Sequence, residues 1–337
     1  MKRLPISVAL LLAVFPLSLS KQLKAQNAEP TVSIVRLDPA FDKLVPKDSV
    51  LEKLAGGYSW SEGPVWNKKH GYLLYSDIPN NSIFKWEPGK GASLFKKPSG
   101  YYGTEAFTGI QPGSNGLTID AQGRLVMAQH GNRRVARLEA DGKETVIADR
   151  YQGKRFNSPN DLVYKSNGDL YFTDPAYGLP KYLEDPQKEL PFQGVYKVSP
   201  DGKITLLDKD LKAPNGIAFS PDEKILYVDD TIDMKWWAYD VQKDGTVANK
   251  RLLLDGNPLK SDGPGAPDGM KVDVHGYIYS AGPGGIVVIT PEGKEIGRFS
   301  MGVSTANCGW GDDGSTLYIT SNTNLYRIKL STKGVGW

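Results

Sequence analysis

The stretch NGIAFSPDEKILYVDD, residues 215–230, places a polar residue and a glycine ahead of an apolar run, a Pro-Asp turn, and a second apolar run ending in acid. Short runs of Ile, Phe, Leu, Tyr and Val bounded by Asn, Gly, Pro and Asp read as paired β-strands. Five other stretches follow the same template: EGPVWNKKHGYLLYSD from Glu62, NGLTIDAQGRLVMAQ from Asn115, NDLVYKSNGDLYFTD from Asn160, DGMKVDVHGYIYSAG from Asp268 and NCGWGDDGSTLYITS from Asn307. Successive lead residues lie 53, 45, 55, 53 and 39 positions apart, a period with room for four strands. Most repeats carry a second strand pair, such as GVYKVSPDGKITLLD from Gly194 and GGIVVITPEGKEIGRF from Gly284. The expected fold is all-β, a six-bladed β-propeller with four-stranded blades, forming a single domain over 21–337. Only 30 residues follow Asn307, enough for three strands. A segment near Thr31 to Leu37 is expected to supply the fourth, so that an N-terminal strand closes the ring and covers a sheet edge.

Composition narrows the function. Lys and Arg number 41 against 38 Asp and Glu, a formal charge of +3, too small for a nucleic-acid surface. Three histidines and one cysteine leave too little nitrogen and sulfur for zinc fingers or cysteine clusters, so any metal must rest mainly on oxygen. A lone cysteine forms no internal disulfide, and Cys308 reads as a small buried hydrophobe. With one histidine placed to reach the pocket and no Gly-x-Ser-x-Gly elbow, the pattern argues against a Ser-His-Asp triad as well.

Residues 1–20 begin with Lys2 and Arg3, continue with an apolar stretch from Ile6 to Leu19, and carry small residues at Ser18 and Ser20. This is signal-peptide anatomy. Pro16 interrupts the apolar run, which is shorter than the roughly 20 residues of a spanning helix. The expectation is export to the periplasm or medium, with no membrane span after cleavage. Loss of Lys2 and Arg3 would leave a mature charge of +1.

In a propeller the first strand of each blade lines the central channel, so residues in one phase of the repeat ring the axis. The ring is Glu62, Asn115, Asn160, Asn215, Asp268 and Asn307: two carboxylates and four carboxamides. Oxygen donors with two negative charges suit a divalent hard cation. Calcium is the expected ion, with zinc, manganese or magnesium as alternatives. The competing reading is that Asn-Gly and Asp-Gly are turn residues tolerating a left-handed backbone, against which Glu62 stands as a poor turn former. His70 and His275 fall in outer turns. His130 follows a second strand and either reaches the pocket mouth or lies on a surface loop. Lys154 and Arg155 bring positive charge near Asn160, to hold a substrate oxygen or to lie in solvent. Tyr101, Tyr102 and Phe107, in a long insertion before Asn115, would cover the pocket or merely connect blades.

SEGPVW at 61–66, RFNSPNDLV at 155–163, APNGIAFSPDEKILYV at 213–228 and PDGMKVDVHGYIYSA at 267–281 resemble the family of senescence marker protein, gluconolactonases and luciferin-regenerating enzyme. The resemblance implies a six-bladed propeller with one divalent ion on its axis. By motif it implies Glu62, Asn160, Asn215 and Asp268 as metal ligands, Asp268 also as the catalytic base or nucleophile, and Asn115 and Arg155 as substrate contacts. His130 and Asn307 complete the expected substrate-binding set. The sequence departs from the family pattern in its last repeat, which reads NCGWG where an FGG-like stretch is usual.

The leading expectation is a metal-dependent lactonase that opens small sugar lactones such as gluconolactone, the ion polarising the carbonyl and Asp268 activating water. Two alternatives are a phosphotriesterase-type hydrolase at the same ion and a non-enzymatic exported propeller that binds a glycan or protein. A pure binder would plug its channel with apolar side chains, whereas this ring is polar. Neither the particular lactone nor the oligomeric state is legible.

Overall fold

In the computed structural model, which describes residues 31–337, the apolar residues of each strand alternate between two interfaces. Leu73 and Tyr75 of the strand Tyr72–Asp77 pack against Tyr318 and Leu325 on one side, while Leu74 packs with Leu117 and Met127 on the other. Along Leu125–Gln129, Leu125 and Met127 face the first blade, and Val126 and Ala128 face Phe172 and Tyr196 of the third. Strand side chains alternate with a period of two, so each sheet buries both faces against its neighbours. Six clusters between sheets thereby hold the ring together.

The blades are antiparallel sheets over 61–96, 114–148, 162–208, 214–255, 270–300 and 305–329. This is the nearly all-β, six-bladed propeller that the repeat implies, and Val32–Trp337 form one compact unit. The signal segment expected at 1–20 lies outside the described residues. Among the described residues, no helix is long and apolar enough to cross a membrane.

The closing strand differs from the expected one. Blade six is completed by Glu52–Gly56, with Glu52 opposite Arg327 and Gly56 opposite Asn324. The segment near Thr31 to Leu37 instead places Ser33–Arg36 as a fifth strand outside Glu295–Ser300 of blade five. A short helix, Pro39–Leu44, separates the two, capped by the Asp38 carboxylate, which accepts from the Ala40 N–H. Its Phe41 and Leu44 are buried in the core between blades five and six. Arg36 ties the turn by donating to the carbonyls of Val45 and Pro46. One N-terminal segment thus covers two neighbouring sheet edges.

The lead residues are not turns. Register slips between Glu62 and Val65, Ser114 and Leu117, Pro214 and Ile217, and Thr305 and Asn307. In the other two blades Asn160-Asp161 and Asp268-Gly269 stand just ahead of Leu162–Tyr164 and Met270–Val272. Such bulges re-aim side chains beside functional sites. Gly116 and Gly216 have no left-handed φ, and close approach is what demands glycine there. A Cβ on Gly116 would sit 2.6 Å from the Asn160 carbonyl oxygen, and one on Gly216 would sit 2.7 Å from Asp229 Oδ2.

Candidate active site

Five of the six lead residues, Glu62, Asn115, Asn160, Asn215 and Asp268, line one well of about 180 Å³, together with Trp60, Ile78, Gln111, Tyr177 and Thr231. Glu62 and the three asparagines are almost wholly buried, and Asp268 is partly exposed. Asp268 therefore keeps the well in contact with solvent, so this is not a plugged channel.

The amides are oriented by what holds their nitrogens. Asn215 Nδ2 donates to Thr231 Oγ1 at 3.0 Å, and that hydroxyl donates to the Pro267 carbonyl at 2.7 Å. Asn115 Nδ2 donates to His130 Nε2 at 3.3 Å. Ser76 and Thr173 hydroxyls donate to the carbonyls of Asn115 and Asn215 at 2.8 and 2.7 Å, pinning the bulged backbone. The Oδ1 atoms of Asn115, Asn160 and Asn215 are left buried with no protein partner. A buried carbonyl oxygen without a partner is costly, and three in one well with two carboxylates form a set that a hard cation satisfies. Among the described residues no group of three or more His, Cys, Asp and Glu is arranged for a metal, so a cation here depends on the amides as much as on the acids.

Asn307, the sixth lead residue, does not line the well. It turns its nitrogen toward the acids, donating to Glu62 Oε2 at 3.0 Å and Asp161 Oδ2 at 3.4 Å, while its oxygen accepts from the Cys308 N–H. Glu62 also accepts from the Gly63 N–H. Asn307 therefore holds a prospective ligand.

Two acids escaped the sequence reading. Asp161 occupies the template position where most repeats have glycine; its Oδ1 accepts from the Leu162 N–H, and its Oδ2 lies 3.8 Å from Lys271 Nζ. Asp229, at the end of a second strand, accepts from the Gly216 N–H at 3.1 Å and leaves Oδ2 buried without a partner. Burial, then the Asp161 charge, push the Glu62 carboxyl up to about 7, opposed by its bonds to Asn307 and Gly63. Asp268 is raised well above the usual carboxylate range by burial and by the Glu62 and Asp229 charges. Asp229 is raised by burial and by Asp161.

His130 is neither at the mouth nor on a surface loop. It is fully buried behind Asn115, and burial holds its pKa down to about 3, keeping the ring neutral. Arg155 lies outside the well lining; its guanidinium donates to the Asn132 carbonyl and its backbone N–H to Glu189, because a small hairpin with Arg150–Tyr151 carries it away. Of the long insertion, Gln111 reaches the well. Its aromatics do not: the Tyr101 ring packs at a tilt against Phe107, and Tyr102 bonds Glu144. His70 and His275 are exposed in outer turns.

These shifts have a measurable consequence. A carboxyl whose folded pKa is raised takes up its proton more readily folded than unfolded, so stability falls as pH rises from about 4.5, the ordinary glutamate value, through the folded Glu62 value of about 7. A cation in the well removes that penalty. If the well binds calcium, the rise in Tm on adding it is therefore expected to be larger at pH 8 than at pH 5, roughly 5 °C at a hundred times Kd. Melting curves at both pH values check this; an equal rise at both would contradict it.

Fold and site together define a class, the six-bladed propeller with a well of carboxylate and carboxamide oxygens at its axis. The family model described as "SMP-30/Gluconolactonase/LRE-like region" matches residues 60–323, and the chain belongs to that lactonase family. It is similar to a gluconolactonase of Zymomonas mobilis, with 37% identity over 318 residues, 91% of this chain and 89% of the relative. It is also similar to pentonolactonase XacC of Haloferax volcanii, with 28% identity over 271 residues, 77% of this chain and 80% of that one. Among solved structures, a gluconolactonase from Xanthomonas campestris superposes with a TM-score of 0.77 at 30% identity, covering 90% of this chain and 97% of that chain.

Proposed function

We propose that this protein hydrolyses sugar lactones of the gluconolactone type at a divalent cation, calcium in the first instance, held by Glu62, Asn160, Asn215 and Asp268. The observation that carries the reading is the set of unpartnered amide oxygens converging with Glu62 and Asp268 on one well. When bound, the ion supplies Lewis-acid polarisation of the lactone carbonyl.

Asp268 Oδ1 is engaged by the Gly269 N–H at 3.0 Å, so Oδ2 is the atom that takes the proton from the attacking water. The ring C–O bond then breaks, and the same proton passes from Oδ2 to the departing alkoxide, giving the hydroxy acid. Asn115 Oδ1 accepts from a substrate hydroxyl and orients the ring. Asn307 keeps Glu62 in place, and burial keeps Tyr177 protonated as an O–H donor beside the well. Acid release from purified protein on a panel of five- and six-membered sugar lactones, with calcium, zinc or manganese supplied, tests the reading; no release with any of them would sink it.

His130 acts through Asn115, so His130→Leu is expected to raise KM for a sugar lactone about tenfold with little change in kcat. His130→Gln, which keeps an acceptor, should recover part of the loss. Steady-state kinetics on the three proteins decide; equal KM values would remove His130 from the account. Export is proposed on the charge and hydropathy pattern of residues 1–20, and N-terminal sequencing of protein recovered from the periplasm or medium tests it.

A further inference from the structure

Beside the polar well lies a second cavity of about 450 Å³, lined by Ala176, Tyr182, Leu183, Ala213 and Ile232. Gln111 and Tyr177 line both spaces, so the two adjoin across these side chains. Tyr182, Leu183 and Ile232 are 40%, 38% and 47% exposed, which makes three large apolar side chains left in water around one groove. The well alone, at about 180 Å³, falls below the usual range for small-molecule pockets, about 300–1,000 Å³. Buried apolar surface next to a few convergent polar groups is how such pockets recognise a ligand. Gln111 Oε1, on the shared wall, is buried without a partner, an acceptor available at the junction.

We infer that the groove is a substituent subsite, and that the enzyme takes lactones whose ring carries an apolar chain, with the ester in the well and the chain against Tyr182, Leu183 and Ile232. This rests on the lactonase reading and extends it from sugar lactones to a second substrate class. Nothing in the groove offers charge to a polar tail, whereas each methylene buried there favours the chain-bearing substrate by up to about fourfold.

The test compares kcat/KM for δ-valerolactone, which has no substituent, with δ-nonalactone, which bears a butyl chain on the ring carbon next to the ring oxygen. Gluconolactone serves as the reference. The wild type is expected to favour the butyl lactone by about tenfold or more. In Leu183→Glu and Ile232→Glu, exposed positions where a charge does not threaten folding, that ratio is expected to fall toward one. Hydrolysis of gluconolactone with no preference for the butyl lactone overturns the subsite and leaves the lactonase reading standing. A preference that survives both variants also overturns it. Failure to open any of the three lactones overturns both readings.

Discussion

Asp268→Asn is expected to lower kcat by roughly 10²- to 10⁴-fold, the range that a positioned general base contributes. Asn keeps the size of the side chain and an oxygen for the Gly269 N–H, which Asp268 accepts at 3.0 Å, but it has no carboxylate to take a proton. It also removes one of the two negative charges lining the well, so cation affinity falls too. The two losses separate on titration: added calcium should restore binding without restoring turnover. Full recovery of kcat at high calcium would show that Asp268 is a ligand only and that the base lies elsewhere.

Glu62→Gln should behave in the opposite way. Glu62 is 1% exposed and held by the Asn307 amide and the Gly63 N–H, so its removal takes away a buried charge without disturbing the proton-accepting atom. Loss of one member of a buried charge pair costs about 3–5 kcal/mol, which corresponds to a fall in cation affinity of more than about a hundredfold. Activity should return substantially at high calcium, because Asp268 is intact. Calorimetric titration alongside activity measures both; unchanged affinity would remove Glu62 from the ligand set.

The repeat was legible because each blade needs the same inner strand, and the phase of Glu62, Asn115, Asn160, Asn215 and Asp268 follows from that need. The backbone device that aims them was not. Polar–glycine pairs look alike in turns and in bulges, and only the approach of Gly116 to Asn160 and of Gly216 to Asp229 separates the two. Asn307 shares the phase but not the role, since an amide can present oxygen or nitrogen and its neighbours decide which. Asp161 and Asp229 were missed because acid beside a lead residue, or at the end of a second strand, looks like ordinary surface charge until the fold buries it. The closing strand was misplaced for a related reason. SIVR at Ser33–Arg36 carries a more apolar pattern than EKLAG at Glu52–Gly56, and two sheet edges compete for them. His130 is buried by the blades around it, which no local pattern reveals.

Crystals of the metal-stripped protein soaked in calcium, with anomalous data, test the central claim most directly. The account predicts one strong anomalous peak per chain inside the well, in contact with carboxylate oxygens of Glu62 and Asp268 and with Oδ1 of Asn160 and Asn215, and absent from Glu62→Gln at the same calcium concentration. A well without a peak, or a calcium ion bound elsewhere on the chain while lactone hydrolysis proceeds, would contradict it.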